Sequence, residues 1–224
     1  IESQANKSRM DDVICKFNKN KDIIFRKRSE HYLSIYLSEI IQLEIEELKI
    51  FFYWCSKNNF KINIPKKSRM FWIEFKKYLL YSSTGSKFIF GDLICFIKRN
   101  ERILIITFSN IVKCPEKKIL INNTKWYGSS FRVKNTNRFC KSDNRNNFII
   151  SNDKFMNGLY LRRWEYGDKI FSATSKKHIL LSDLFINNKL SGFDKLIQPI
   201  ILDKENNIVW IPGLAHGAID GIIE

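Results

Sequence analysis

Glycine is scarce in this 224-residue chain, nine in all, and no two are neighbours. Phosphate-cradling loops of the Ser-Gly-Gly, Walker or dinucleotide type need closely spaced glycines, because only a backbone free of Cβ atoms can approach the phosphate. No such loop is expected here. Histidine is scarcer still, with only His31, His178 and His216, so a metal centre or a Ser-His-Asp constellation has little to draw on. Five cysteines (Cys15, Cys55, Cys95, Cys114, Cys140) are widely spaced, odd in number, and form no Cys-x-x-Cys pair or Cys/His cluster. That pattern argues against both a zinc site and a disulfide framework, and reduced thiols in a cytoplasm or an organellar stroma are its simplest account. The carboxylates Asp11, Asp12, Asp183, Asp194 and Asp203 pair with neither a histidine nor each other at metal-site spacing, which speaks against a nuclease. No apolar run approaches the roughly 20 residues of a membrane span; the richest, Ile103 to Phe108, is strand-sized. No signal peptide is visible. The first residue is Ile1 rather than Met, so the chain is expected to begin inside a longer polypeptide.

What is abundant is positive charge and apolar bulk. Hydrophobic residues make up 44% and aromatics 14%, enough for one large or two small globular cores. The net charge is +15, from 38 basic and 23 acidic residues, and phosphate neutralisation makes such an excess the usual footprint of a nucleic-acid partner. A bland alternative is compositional drift, since 27 lysines against 11 arginines and 21 asparagines suit an AT-rich genome. The distribution favours the functional reading: residues 157–224 hold eight basic and eight acidic side chains, so the whole excess lies in residues 1–156. A polyanion-facing surface is expected there.

Residues 1–28 are polar and end in Arg26-Lys27-Arg28, the composition of a linker from a preceding domain. From Ser29, Leu33, Leu37, Ile40, Ile41, Leu48, Phe52 and Cys55 recur near helical spacing with a break at Leu43-Glu44, and Glu44, Glu46 and Glu47 suit the positive start of a second helix, with Lys57 at its end. Ser68 reads as the N-cap of a helix carrying Phe71, Phe75, Tyr78 and Leu79, with Gly85 beyond its end. The period then changes to two: Lys87 to Lys98 with Gly91-Asp92 inside it, then Arg102 to Phe108 across Arg99-Asn100-Glu101, predict a strand meander. Residues 109–156 are rich in Asn, Lys and Ser, with short strands predicted near Ile119–Ile121, Phe131–Val133 and Phe148–Ile150. A domain boundary is expected at Asp153–Gly158, separating a middle domain over 29–152 from a terminal one over 158–224.

The terminal segment is the most informative. Leu161-Arg162-Arg163-Trp164 reads as a strand end leading into the turn Gly167-Asp168-Lys169, where Gly tolerates positive φ and Asp can bond its own backbone. In Leu181-Ser182-Asp183-Leu184-Phe185-Ile186, Ser182 or Asp183 can cap a short helix, with Leu184, Phe185 and Ile186 facing inward. Ile200-Ile201-Leu202 and Ile208-Val209-Trp210-Ile211 flank Asp203 to Asn207 and read as a hairpin. In that order, with Lys189, Pro199 and Pro212-Gly213, these blocks resemble the C-terminal domain of bacterial and organellar tRNA(Ile)-lysidine synthetases, over residues 161–213. The layout of a helix ending in Asn58-Asn59, a link, a second helix, then Phe90-Gly91-Asp92 and paired strands is similar to the middle, substrate-binding domain of the same family.

The resemblance implies an α+β chain, a helical and β middle domain followed by a small α/β domain ending in a hairpin. It further implies an enzyme that uses ATP, with Mg, to ligate lysine to the wobble cytidine of AUA-reading tRNA(Ile). The catalytic N-terminal domain of that family, with its Ser-Gly-Gly-x-Asp-Ser loop, has no counterpart in this sequence. The expected share of this chain is therefore tRNA binding without catalytic residues, cofactor or metal of its own, its partners being tRNA(Ile) and its own missing N-terminal domain, with no membrane involved. Candidate tRNA contacts are Arg162 and Arg163, which can fork onto phosphates or stand as a solvated strand end, Lys169, and the pair Lys176 and Lys177. The family places a Lys-Lys pair directly before the Leu-Ser-Asp segment, where this chain has Ile179 and Leu180; three residues earlier, the lysines would keep that face on a helical turn and lose it in a loop. In the middle domain Lys66, Lys67, Arg69, Lys76 and Lys77 load one helix and its approach, within a stretch (49–102) of twelve basic and three acidic residues. Trp54, Trp72 and Trp210 are read as core rather than as base-stacking residues. A different class of function remains open at this point: a stand-alone RNA- or protein-binding module with no enzyme context. Because the phosphate cradle is absent, the chain by itself is expected to release no pyrophosphate from ATP in the presence of tRNA and lysine, which a radiolabelled pyrophosphate assay checks.

Overall fold

Val13 and Phe17, four residues apart, share one face of a helix, and that face is buried: Phe17 is 2% exposed and meets the ring of Phe51 edge-on at 5.0 Å. They belong to α1 (Glu2–Lys19), in the segment whose composition suggested a linker. Two apolar residues one turn apart suffice to dock it, and their signal is thin among the surrounding Lys, Asp and Asn. The computed structural model describes residues 2–28, 31–112, 118–127, 129–134, 145–172 and 176–217, with Cys114 and Cys140 outside them. The fold is α+β and divides into two units, residues 1–112 and 113–224.

In the first unit α1 is followed by α2 (Lys21–Ile24), β1 (Phe25–Arg28), β2 (Tyr32–Tyr36), α3 (Leu37–Ile41), α4 (Ile45–Cys55), a π-helical turn over Ser56–Phe60, and α5 (Arg69–Tyr81). The expected meander then appears as β3 (Lys87–Phe90), β4 (Leu93–Lys98) and β5 (Ile103–Phe108). The five strands are antiparallel in the order β1-β2-β5-β4-β3. Tyr32–Tyr36 is a strand where helical spacing was expected. Leu33 and Leu37 satisfy both periods, but Ile35 joins Leu33 on one face, and they pair with Leu104 and Ile106; β-branched and aromatic neighbours complete a strand composition.

The break at Leu43-Glu44 is real. Glu44 is extended, and its N–H donates to Oε2 of Glu47 at 3.0 Å, opening α4. Ser68 caps α5 by accepting from the N–H of Phe71 at 3.2 Å. The helices cover the sheet face bearing Leu33, Ile35, Cys95, Ile97, Leu104 and Ile106. Between them lies an aromatic cluster, with Phe52 against Phe75 at 4.7 Å and Trp72 against Phe90 at 5.1 Å, so Trp54 and Trp72 are core. The opposite sheet face carries Ile94, Phe96, Ile103 and Ile105, also buried, which is why β4 and β5 read as unbroken apolar runs rather than alternating ones. The phenol of Tyr78 donates to the carbonyls of Ser86 (2.8 Å) and Cys95 (3.0 Å); burial drives its pKa up, so it stays a donor. Glu101 receives Arg26 from β1 and Lys98 from β4. Burial alone would raise its pKa, but the bonds and charges of these two cations outweigh burial and hold it below the usual range.

The second unit contains β6 (Lys118–Ile119), β7 (Thr124–Trp126), β8 (Ser129–Phe131), α6 (Asn152–Met156), β9 (Tyr160–Arg163), β10 (Lys169–Ser172), β11 (Lys177–Leu180), α7 (Leu181–Asn187), α8 (Gly192–Ile197), β12 (Pro199–Leu202), β13 (Ile208–Ile211) and β14 (Ala215–His216). Its main sheet has the order β11-β10-β13-β12-β9-β6, with β14 also on β13. The terminal hairpin is β12 and β13, with Ile201 opposite Trp210 and Asp203 accepting from the N–H of Asn207 at 2.8 Å. Alternation divides the sheet between two cores: Ile200 and Leu202 face Phe185 and Leu181 of α7, while Leu161 and Ile201 face Leu120 and Trp126.

That second core moves the boundary. The sequence suggested Asp153–Gly158, yet Leu120, Trp126, Phe131, Phe148, Ile150 and Phe155 fill one face of the terminal sheet, and the indole N–H of Trp126 donates to the carbonyl of Ile197 at 2.7 Å. Six apolar residues spread through a stretch rich in Asn and Lys carry no period, so their common face exists only after folding. Of the strands expected near 119–121 and 131–133, β6 begins one residue earlier and is shorter, and β8 lies two residues earlier at equal length; Phe148–Ile150 has no ladder, although Phe148 stacks on Trp210 at 5.4 Å. Removing the docked ring by Phe17→Ala should cost about 3 kcal/mol, read as a lowered urea midpoint; a loss near zero would return residues 1–28 to a linker.

Candidate nucleic-acid interface

Adjacent residues of a strand point to opposite faces, so Arg162 and Arg163 in β9 cannot fork side by side onto one phosphate. Arg163 shares its face with Leu161 and is 6% exposed, and among the described residues its Nε has no hydrogen-bond partner. Arg162 is spoken for. Its two terminal nitrogens donate to the two carboxylate oxygens of Asp168, each at 2.8 Å, and one also donates to the carbonyl of Arg163 at 2.8 Å. The hydrogen bond to Asp168 leads the effects that raise the Arg162 pKa, with burial opposing it and the Asp168 and Glu165 charges adding to it. The phosphate-fork expectation for the arginines gives way to a structural one.

Asp168 does more than turn the chain. It accepts from the N–H of Glu165 at 2.6 Å while its own carbonyl receives the N–H of Leu181 at 2.9 Å, and Gly167 takes the φ of +92° that this closure demands. The bond to Leu181 satisfies the start of α7, which begins before Ser182 and Asp183. Neither of those residues is its cap, since both lie inside the first turn, with Ser182 bonded to Asp183 at 3.4 Å. Phe185 is buried and Ile186 is exposed, so only part of the predicted inward face is inward. Ser191 is the capping residue that sequence reasoning missed: its hydroxyl accepts from the N–H of Asp194 at 3.2 Å and opens α8. Its signal was the Ser-x-x-Asp spacing.

The lysines sort by partner. Lys76 donates to the carbonyls of Ile41 and Leu43 at the end of α3, where backbone carbonyls lack helical partners, so it is structural. Lys77 pairs with Glu74 at 2.9 Å on the exposed face of α5. Lys67 lies over the ring of Phe71 at 5.4 Å, an arrangement that holds the ammonium near the surface. Lys66 and Arg69 are exposed in the approach to α5 and its first residue. Lys176 (φ +51°) leads into β11, and Lys177 is its first residue. Along a strand, a shift of three residues exchanges the two faces: Lys177 falls on the side of Ile179 and the position of Lys176 on the side of Leu180, so neither lysine takes the face of the residue three places after it. Lys169, the first residue of β10, is exposed.

The hairpin of β10 and β11 therefore gathers Lys169, Lys176 and Lys177. Its inner face presents Ile170 and Ile179 to the α7 core. Its outer face pairs Lys169 with Leu180 and Phe171 with His178, whose rings meet edge-on at 5.1 Å. Tyr166, on the turn that Asp168 closes, is 96% exposed. These rings were missed from sequence, where the alternation Lys-Ile-Phe-Ser was the available signal. Charge follows the units differently from the sequence halves: residues 1–112 hold 20 basic and 12 acidic side chains, and residues 113–224 hold 18 and 11. Because residues 113–156, with ten basic and three acidic, belong to the second unit, both units are cationic. Among the described residues no group of three His, Cys, Asp or Glu side chains comes together at metal-holding distance, and no helix is long and apolar enough to cross a membrane.

No family model matches the chain, and no curated protein matches it. Among solved structures, a crystal structure of the TILS C-terminal domain matches with 28% identity over 27% of this chain and 46% of that one, at a TM-score of 0.26. The match thus spans under half the length of that chain. Since the Arg162–Asp168 pair is about 15% exposed on each side (16% and 13%), breaking it by Arg162→Ala or Asp168→Ala should destabilise the terminal unit by about 2–3 kcal/mol. The double variant should cost clearly less than the sum, which a thermal double-mutant cycle checks.

Proposed function

We propose that this chain is the tRNA-binding part of a tRNA(Ile)-lysidine synthetase, the middle and C-terminal domains of an ATP-dependent ligase that attaches lysine to the wobble cytidine of tRNA(Ile). The observation that carries the reading is that the sequence blocks of the resemblance are mechanically one object. Arg162 and Asp168 close the turn, the Asp168 carbonyl satisfies Leu181 at the start of α7, and the hairpin β12–β13 forms the sheet on which Phe185 of α7 packs. Residues scattered over 161–213 with no shared local role would have weakened it.

The chemistry of ligation is assigned elsewhere. ATP and its Mg are left in this reading to the family's catalytic domain, whose Ser-Gly-Gly-x-Asp-Ser loop this sequence does not contain. The share of the mechanism left to these residues is positioning, holding tRNA so that the anticodon reaches the catalytic domain of such a synthetase. Phosphates are met by Lys66, Arg69, Lys169, Lys176 and Lys177, all exposed, and Arg162 acts by shaping the turn.

Counting four or five phosphate contacts, tRNA affinity should fall about hundredfold between 50 and 200 mM salt, measured by fluorescence anisotropy with labelled tRNA(Ile). A flat salt response would sink the reading. Asp168→Ala should weaken binding, although it removes a negative charge, because the turn opens. Tighter binding by that variant would mean that Arg162 contacts phosphate directly.

A further inference from the structure

The outer face of the β10–β11 hairpin has a composition that packing does not explain. Ile170 and Ile179 serve the core from the other side, while Phe171 keeps 38% of its surface in solvent beside exposed His178. Residues 169–180 contain three lysines, one histidine and no carboxylate. A solvated strand face ordinarily mixes both signs and dispenses with a half-exposed phenyl ring. Edge protection accounts for Lys177 and His178 on the outermost strand, β11, but not for Phe171, which lies on the inner strand of the pair. The platform is stiff as well: at one end Asp168 receives Leu181 and holds Arg162 in two bonds, so little freedom is lost when a partner arrives.

We propose that this face is a stacking platform for unpaired RNA nucleotides, with the Phe171–His178 pair against a base and Lys169 and Lys176 on the flanking phosphates. The inference rests on the RNA-binding reading above and narrows it to single-stranded elements. Aromatic rings accept any base because every base has a π-face, whereas bases inside a duplex are already stacked. The lysines supply the charge complementarity: with no acidic side chain in the hairpin, the occupant it suits is a polyanion. Tyr166, projecting from the adjoining turn, offers a third ring at the Lys169 end.

The test uses the full chain and two labelled probes, a single-stranded octauridylate and a blunt twelve-base-pair RNA duplex, with tRNA(Ile) as a reference. The double variant Phe171→Ala, His178→Ala should lose roughly tenfold in affinity for the octamer, one stacked base being lost, and less than twofold for the duplex. Phe171→Trp should bind the octamer at least as well as the parent, since the larger ring keeps the stack. Lys169→Ala with Lys176→Ala should reduce the salt slope on the octamer by about 1.4. The altered side chains are half-exposed or exposed, and a melting temperature within two degrees of the parent confirms folding. Equal losses on both probes, no loss on either, or a parent chain that binds tRNA but not the octamer would overturn the platform and leave the RNA reading standing. A parent chain that binds neither probe nor tRNA would overturn both.

Discussion

The bidentate pair of Arg162 with Asp168 is the contact on which the terminal unit turns. Two charge-assisted bonds in a half-enclosed site are worth far more than a surface ion pair, because neither group can recover its full hydration if the partner goes. Through Asp168 the pair fixes three things at once: the turn leaving β9, the entry of β10, and the first free amide of α7. The outward hairpin is therefore presented by a rigid base. It also gives Arg162, which from sequence looks like a phosphate ligand, a structural role.

Net charge alone overstates the cationic surface. Lys76 ends a helix, Lys77 and Lys98 face carboxylates, and Arg162 and Arg163 are folded into the sheet. The exposed cations include Lys66 and Arg69 in the approach to α5 and Lys169, Lys176 and Lys177 of the β10–β11 hairpin, beside others such as Lys57, Lys61, Arg132 and Lys204. Exposed cations in both units suit a polyanion, which is tRNA in the proposed reading.

The aromatic residues divide in the same way. In the first unit Phe52, Trp72, Phe75 and Phe90 interlock edge to face between helices and sheet, a geometry that rewards their quadrupoles beyond simple burial, and their indole and phenyl groups are spent on stability. In the second unit Trp126 and Trp210 close the sheet face opposite α7, each donating its N–H to a carbonyl. In this second unit Phe171 and Tyr166 are the exposed Phe and Tyr rings among the described residues, held at the surface by the hairpin and turn that carry them; in the first unit Tyr36 and Tyr81 are exposed.

Local chemistry settled a good part of this protein in advance. The Ser68 cap, the acidic start of α4, the meander punctuated by Gly91-Asp92 and Arg99 to Glu101, and the terminal hairpin are each written within a dozen residues, so propensity, capping and turn preferences decide them before any long-range contact forms. Tertiary structure decided the rest. Phe17 docks α1 through one face that its polar neighbours conceal; Ile35 becomes strand because β5 offers it a partner; and Leu120, Trp126 and Phe148 join the terminal sheet across long stretches of sequence. Arg162 and Arg163 separate onto opposite faces, Lys76 turns inward to two carbonyls, and Phe171 comes to lie beside His178. Each outcome depends on which surface a side chain meets after the sheets have assembled, and a sequence read along its own length contains no record of that surface.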